Sequence, residues 1–138
     1  MGGNEGALPE NEGCVLCEEL DVQNERHAAG FLHLWKTDAV FQKAFGQSGG
    51  VCLPDARRLL RLSPGCLNSR EQSGFRSLLD NQLSSALDTL EKDLTRFTQK
   101  SDYRNADQPW GDARDALERT VNYLRGWCLG KEPLKDEQ

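Results

Sequence analysis

Apolar residues recur along this chain at spacings of three and four, and the residues between them carry the caps and stops that divide it into helices. A first helix is expected to start near Cys14 or Cys17 and run to about Trp35. Leu20, Asn24, His27, Phe31 and Leu34 trace its seam, which Cys17 extends backwards and which would turn that thiol inward. Glu18, Glu19 and Asp21 fall in the first turns, where the helix dipole favours anions. Thr37 or Asp38 fits as the N-cap of a short second helix carrying Val40, Phe41, Ala44 and Phe45 on one face, stopped by Gly46 and Ser48-Gly49-Gly50. Pro54 suits the first turn of a third helix, where its missing N–H costs nothing. Ala56, Leu59, Leu60 and Leu62 continue that helix, and Ser63-Pro64-Gly65 is expected to break it.

Asn68-Ser69-Arg70-Glu71 has the form of a capping box and opens the longest helix, to about Thr98. Its predicted buried stripe is Phe75, Leu79, Leu83, Leu87, Leu90, Leu94 and Phe97. Lys100 to Pro109 is polar and turn-rich, and a last helix follows with Trp110, Ala113, Leu117, Val121, Leu124 and Cys128 on one face. No strand and no fixed-period repeat emerges. The predicted fold class is all-α, an irregular bundle of about five helices with one long central helix. The organisation expected is a disordered lead over 1–12, a single helical domain over 13–130 and a flexible tail over 131–138.

Composition narrows the function classes. The 138 residues are 37% hydrophobic and 28% charged with a mean hydropathy of −0.68, as in a soluble protein large enough for one core. A net charge of −5 and a pI near 5.1 disfavour a broad nucleic-acid face, because phosphate neutralisation needs clustered cations. Arg57, Arg58 and Arg61 are a local basic exception. No apolar run approaches the ~18 residues that span a bilayer. The first thirteen residues carry Glu5, Glu10 and Glu12 and no Lys or Arg, the opposite of a signal peptide. A cytoplasmic protein with reduced thiols is therefore expected, and the odd number of cysteines, five, argues against a closed disulfide set.

The chemistry-bearing stretch is Cys14-Val15-Leu16-Cys17, answered later by Cys52-Leu53-Pro54-Asp55. Two thiols at this spacing can grip one metal ion, and a second pair ending in a carboxylate would complete tetrahedral coordination, for which zinc is the first candidate. Both pairs fall where a helix is expected to start, and N–H groups there favour thiolate. The candidate metal ligands are thus Cys14, Cys17, Cys52 and Asp55, with Cys66 as another fourth ligand. Other readings of the thiols are a cycling dithiol–disulfide at Cys14 and Cys17, an iron–sulfur cluster on Cys14, Cys17, Cys52 and Cys66, and small hydrophobes without a ligand role.

His27 lies about 15 Å by helical rise from Cys17, too far to share a metal, and reads as a satisfied core histidine. His33 falls off the seam and reads as surface. Hydrolase, phosphate-loop and zinc-protease signatures are absent, and Glu25 and His27 have the wrong spacing for a di-iron motif. Asp102-Tyr103-Arg104 reads as loop-capping, with anion or partner binding as the functional alternative.

These residues together resemble an uncharacterised group of bacterial and archaeal proteins classed as a domain of unknown function. That group reads Cys-Pro-Leu-Cys, then an amphipathic helix, then Gly-Gly-Phe-Cys-x-x-His. The matching stretches here are Cys14-Val15-Leu16-Cys17 and Gly49-Gly50-Val51-Cys52-Leu53-Pro54-Asp55, with Asp102-Tyr103-Arg104 and a helix ending in Gly126 or Gly130 further on. The resemblance spans roughly residues 13 to 130. It implies a helical fold and a ligand set of three Cys and one His, with Asp55 here in place of that His and Val15 in place of the Pro. It implies no activity. The expected function is a metal-stapled binding or regulatory module, not an enzyme, working through helix surfaces on a protein partner or a second copy, without nucleic acid or membrane. The alternative is a thiol–disulfide redox protein using Cys14 and Cys17.

Overall fold

A computed structural model describes residues 14–126. The lead over 1–12, the tail over 131–138, and Cys128 and Gly130 of the predicted last helix lie outside the described residues. Among those described there are five α-helices and no strand, as the all-α reading expects: α1 (Val15–Thr37), α2 (Ala39–Gln47), α3 (Leu53–Cys66), α4 (Ser69–Lys100) and α5 (Ala116–Arg125). Single 3₁₀ turns at Tyr103–Asn105 and Gly111–Ala113 fill the stretch between α4 and α5. α1 packs on α2 and α3, and α4 packs on α3 and α5.

The starts follow local chemistry. Asp38 caps α2, its Oδ1 accepting from the N–H groups of Val40 at 2.9 Å and Phe41 at 3.0 Å. Asn68 and Glu71 close the predicted capping box on α4, each side chain accepting from the other's backbone N–H at 2.9 Å. The stop at Ser63-Pro64-Gly65 does not occur, and α3 continues to Cys66. Pro64 cannot donate to the Leu60 carbonyl one turn back. The buried Ser63 hydroxyl donates to that oxygen instead, at 2.9 Å, so the proline lies inside the last turn without orphaning a carbonyl.

The core is aromatic at its centre. Phe75 of α4 is fully buried, its ring centroid 5.0 Å from Trp35, 6.3 Å from Phe45 and 6.5 Å from Phe31. Phe31 in turn meets Phe41 and Phe45 edge-on at 5.0 and 4.8 Å. Leu32, Leu59, Leu67 and Leu79 complete the cluster. Edge-to-face pairs add about 0.5–1.5 kcal/mol each beyond burial, which offsets the unpartnered, buried indole N–H of Trp35.

Three predicted faces are corrected in part. On α1 the buried positions are Ala28, Leu32 and Trp35, with Phe31 alongside, while Leu20, Asn24, His27 and Leu34 are exposed. The large apolar areas of Leu32 and Trp35 set the helix's rotation, and the polar Asn24 and His27 turn to water. On α4 the row facing its partners runs Phe75, Leu79, Gln82, Ala86, Leu90, Asp93 and Phe97. Leu87 is 48% exposed, on the neighbouring row with Leu83 and Leu94. The polar members of the real row have partners. Gln82 Nε2 donates to the Phe45 carbonyl at 2.7 Å, and Asp93 Oδ2 accepts from both terminal nitrogens of Arg119 at 3.0 Å. On α2, Val40 and Ala44 face solvent, and only Phe41 and Phe45 of the predicted face reach the core.

Beyond α4, Lys100 holds the chain's turn. Its Nζ donates to the carbonyls of Asn105, Ala106 and Gln108 at 3.1, 2.7 and 2.5 Å, and lies 5.2 Å from the Trp110 ring centre. Asp102 accepts from the Arg104 N–H at 3.0 Å, the loop-capping role expected of it. The last α-helix starts at Ala116, not Trp110. Trp110 packs on Phe97 at 5.9 Å, and Leu117 and Leu124 are about half exposed.

Phe75→Ala should lower unfolding stability by about 3–5 kcal/mol, whereas Leu87→Ala should cost under about 1 kcal/mol. Urea unfolding of both variants checks the corrected row, and equal losses would refute it. Ser63→Ala should cost about 1 kcal/mol in the native chain and markedly less once Pro64→Ala restores the backbone donor. A double-mutant cycle measures that coupling.

Candidate functional site

The thiols fall into two local pairs. Cys14 is the N-cap of α1, exposed, with extended backbone at φ −89° and ψ 103°. One turn on, Cys17 is partly covered, although the seam expected to turn its thiol inward faces water. The Cys17 backbone N–H, and then the Cys17 thiol, hold the Cys14 thiol below its ordinary value, through contacts too open to count as a side-chain cap. The same thiol–thiol contact pushes Cys17 up, with the Cys14 charge adding to it. The two sulfurs thus share one environment with opposite biases, one stabilised as thiolate and the other as thiol.

Cys52 is the N-cap of α3, with no side-chain cap hydrogen bond. Its thiol donates to Asp55 Oδ2 at 3.2 Å, while Asp55 Oδ1 accepts from Arg58 at 2.9 Å. Burial pushes the Cys52 thiol up, and the Asp55 carboxylate adds to that against a lowering contact from the Asp55 backbone N–H. Cys66 ends α3 half-buried against the core. His27, expected in the core, is exposed instead on the rim of a small hollow between α1 and α3 that it shares with Asn24, Asp55 and Arg58. His33 is exposed, as its off-seam position predicts.

The four expected ligands are therefore brought together only two by two. Among the described residues no group of three or more His, Cys, Asp and Glu side chains is placed to hold a metal ion. Asp55 divides its carboxylate between the Cys52 thiol and the Arg58 guanidinium. In this arrangement Cys14, Cys17, Cys52 and Asp55 do not form a tetrahedral centre. No helix among the described residues is long and apolar enough to cross a membrane.

A second feature escaped the sequence reading. A cleft of about 910 Å³ opens between α4, α5 and the α2–α3 connection, walled in part by Leu78, Ala86, Leu90, Cys52 and Tyr123. Burial, and then the charge on neighbouring Cys52, raise the Tyr123 hydroxyl. The missed signal is the i, i+4 run that leads to the predicted Leu90, namely Leu78, Gln82 and Ala86, a row of mixed polarity that periodicity passes over for the leucines beside it.

Fold and site define a small all-helical protein with a paired thiol at the start of its first helix. Its sequence places it in a family: residues 4–131 match the family of unknown function DUF6062, and the chain belongs to it. It is also 24% identical over 119 residues to an uncharacterised 23.9 kDa protein in the xynA 3′ region of Caldicellulosiruptor sp. (strain Rt8B.4), a match covering 86% of this chain. The chain spans about half the length of that relative, 51%. No solved structure matches.

With limiting N-ethylmaleimide at neutral pH, Cys14 should be modified first and Cys52 well behind it. Peptide-resolved mass spectrometry reads the order, and faster modification of Cys52 would contradict the environments described.

Proposed function

We propose that this protein is a thiol–disulfide module whose working group is the Cys14–Cys17 pair. The observation supporting this reading is the asymmetry of the pair on one helical turn, an exposed cysteine at the N-cap with a more covered cysteine in contact with it three residues on. A dithiol needs that division between an attacking and a resolving group. In the reducing direction the Cys14 thiolate attacks one sulfur of a substrate disulfide and expels the other as a thiolate. The deprotonated Cys17 sulfur then displaces the second substrate thiolate from Cys14, leaving a Cys14–Cys17 disulfide. Two electrons pass to the substrate, and the two protons lost by the cysteines end on the two released thiols. The reverse sequence oxidises a substrate dithiol.

A second reading is favoured by the preassembled Cys52–Asp55 pair on a helix that packs against α1. Zinc held by Cys14, Cys17, Cys52 and Asp55 would pin the start of α1 to the start of α3 and make the chain a stapled binding module. That requires the two pairs to converge and Asp55 to release Arg58. An iron–sulfur cluster would further require Cys66 to leave the core edge.

Zinc content of natively purified protein, measured by plasma mass spectrometry beside a map of its disulfides across glutathione buffers, separates the readings. Only trace zinc with a reversible Cys14–Cys17 disulfide is expected. About one zinc per chain with protected thiols would replace the redox reading with the staple. Under oxidised glutathione, Cys17→Ser should accumulate a mixed disulfide at Cys14, and Cys14→Ser should accumulate far less at Cys17.

A further inference from the structure

We infer that the cleft between α4, α5 and the α2–α3 connection binds an uncharged, mainly apolar small molecule, independently of the Cys14–Cys17 pair. The cleft is wide-mouthed, and at about 910 Å³ it has the size of sites that take drug-sized ligands, about 300–1,000 Å³. Its walls come from three parts of the chain. As the floor, α4 supplies Leu78, Ala86 and Leu90, interleaved with the polar Asn81, Gln82, Ser85 and Thr89; α5 supplies Tyr123, and the connection supplies Gly49 and Cys52.

Among the described residues the cleft is built open. Gln82 Nε2 ties the end of α2 to α4 through the Phe45 carbonyl at 2.7 Å, which fixes the wall at a set distance from the floor. Gly50, with φ +84°, turns the connection closely over the same side chain, and a Cβ there would lie 3.1 Å from Gln82. Gly46 and Gly49 line the cleft, and a Cβ on either would meet nothing within 4 Å, so no side chain from these positions fills the space.

Electrostatics selects the ligand class. Arg119 is the charged residue among those lining the cleft, and its guanidinium is already committed. It donates to Asp93 and, at 2.9 Å, to Asp115, as well as to the Asp112 carbonyl. A charged ligand would lose hydration there without gaining a free counter-charge. A neutral one can bury apolar surface on Leu78 and Ala86 and still meet the hydroxyl of Tyr123.

The test uses the full chain and Nile red, a neutral apolar dye. Saturable binding of about one dye per chain is expected, with at least a tenfold loss of affinity in Ala86→Trp, which fills the floor from a rigid helix. Bound dye should also slow N-ethylmaleimide modification of Cys52 severalfold while leaving Cys14 unchanged, read by peptide mass spectrometry. Absence of saturable binding, or unchanged affinity in an Ala86→Trp variant of native helical circular dichroism, overturns the inference. If that variant does not fold, protection of Cys52 in the native chain decides alone, and an unprotected Cys52 overturns it.

Discussion

Phe75 is the residue through which the long helix is attached to the rest of the fold. α4 is 32 residues long, far more than its own hydrogen bonds would hold rigidly in water, and its solvent side is polar along its length. At the centre of what holds its N-terminal half is one ring seated among Trp35, Phe31 and Phe45, drawn from two other helices, with the buried Leu79 beside it. The capping box at Asn68 starts the helix six to seven residues before that ring, so the cap sets where α4 begins and the ring sets which way it faces. With that rotation fixed, Gln82 necessarily falls opposite the end of α2, Ala86 and Leu90 on the floor of the cleft, and Asp93 opposite Arg119. A change in the packing of Phe75 would move all of these together.

The C-terminal half is held differently. There the partners are polar or mixed: Asp93 with Arg119, Lys100 with three backbone carbonyls, Phe97 with Trp110. The Arg119–Asp93 pair is partly withdrawn from solvent, with 13% of the Asp93 side chain exposed. Both terminal nitrogens of the guanidinium meet one carboxylate oxygen while Nε meets Asp115, so α5 is oriented as well as attracted. The molecule thus joins an aromatic core to a second, more polar contact region along a single helix. The cleft lies where these regions meet.

This division explains what could be read from the sequence. Element type and order were legible because local rules govern them: the Asn68–Glu71 box, the Asp38 cap and the early Pro54 each act within one turn. Rotation was less legible, because it depends on what lies across the helix. On α4 a leucine row and a mixed row compete at nearly the same spacing, and hydrophobic periodicity prefers the leucines. The structure prefers the mixed row because Gln82 and Asp93 find partners 37 and 26 residues away in sequence, contacts that no local window contains. The continuation of α3 through Pro64 was missed for a simpler reason. A serine before a proline can return the lost hydrogen bond, and composition rules treat Ser-Pro-Gly only as a stop.

The candidate site divides along the same line. Each cysteine pair is a local feature, and the structure keeps each local: Cys14 with Cys17 on the first turn of α1, Cys52 with Asp55 on the first turn of α3. The expected four-ligand centre required the two turns to converge, a tertiary relation that spacing within each pair cannot encode. Asp55 makes the distinction chemical. Its carboxylate attracts the Arg58 guanidinium and accepts from the Cys52 thiol, which satisfies the second pair within its own helix. The first pair has no such internal partner. Among the described residues its sulfurs have each other and the Cys17 backbone N–H, and an exposed thiol favoured as thiolate beside a second thiol is the arrangement from which disulfide exchange proceeds most directly.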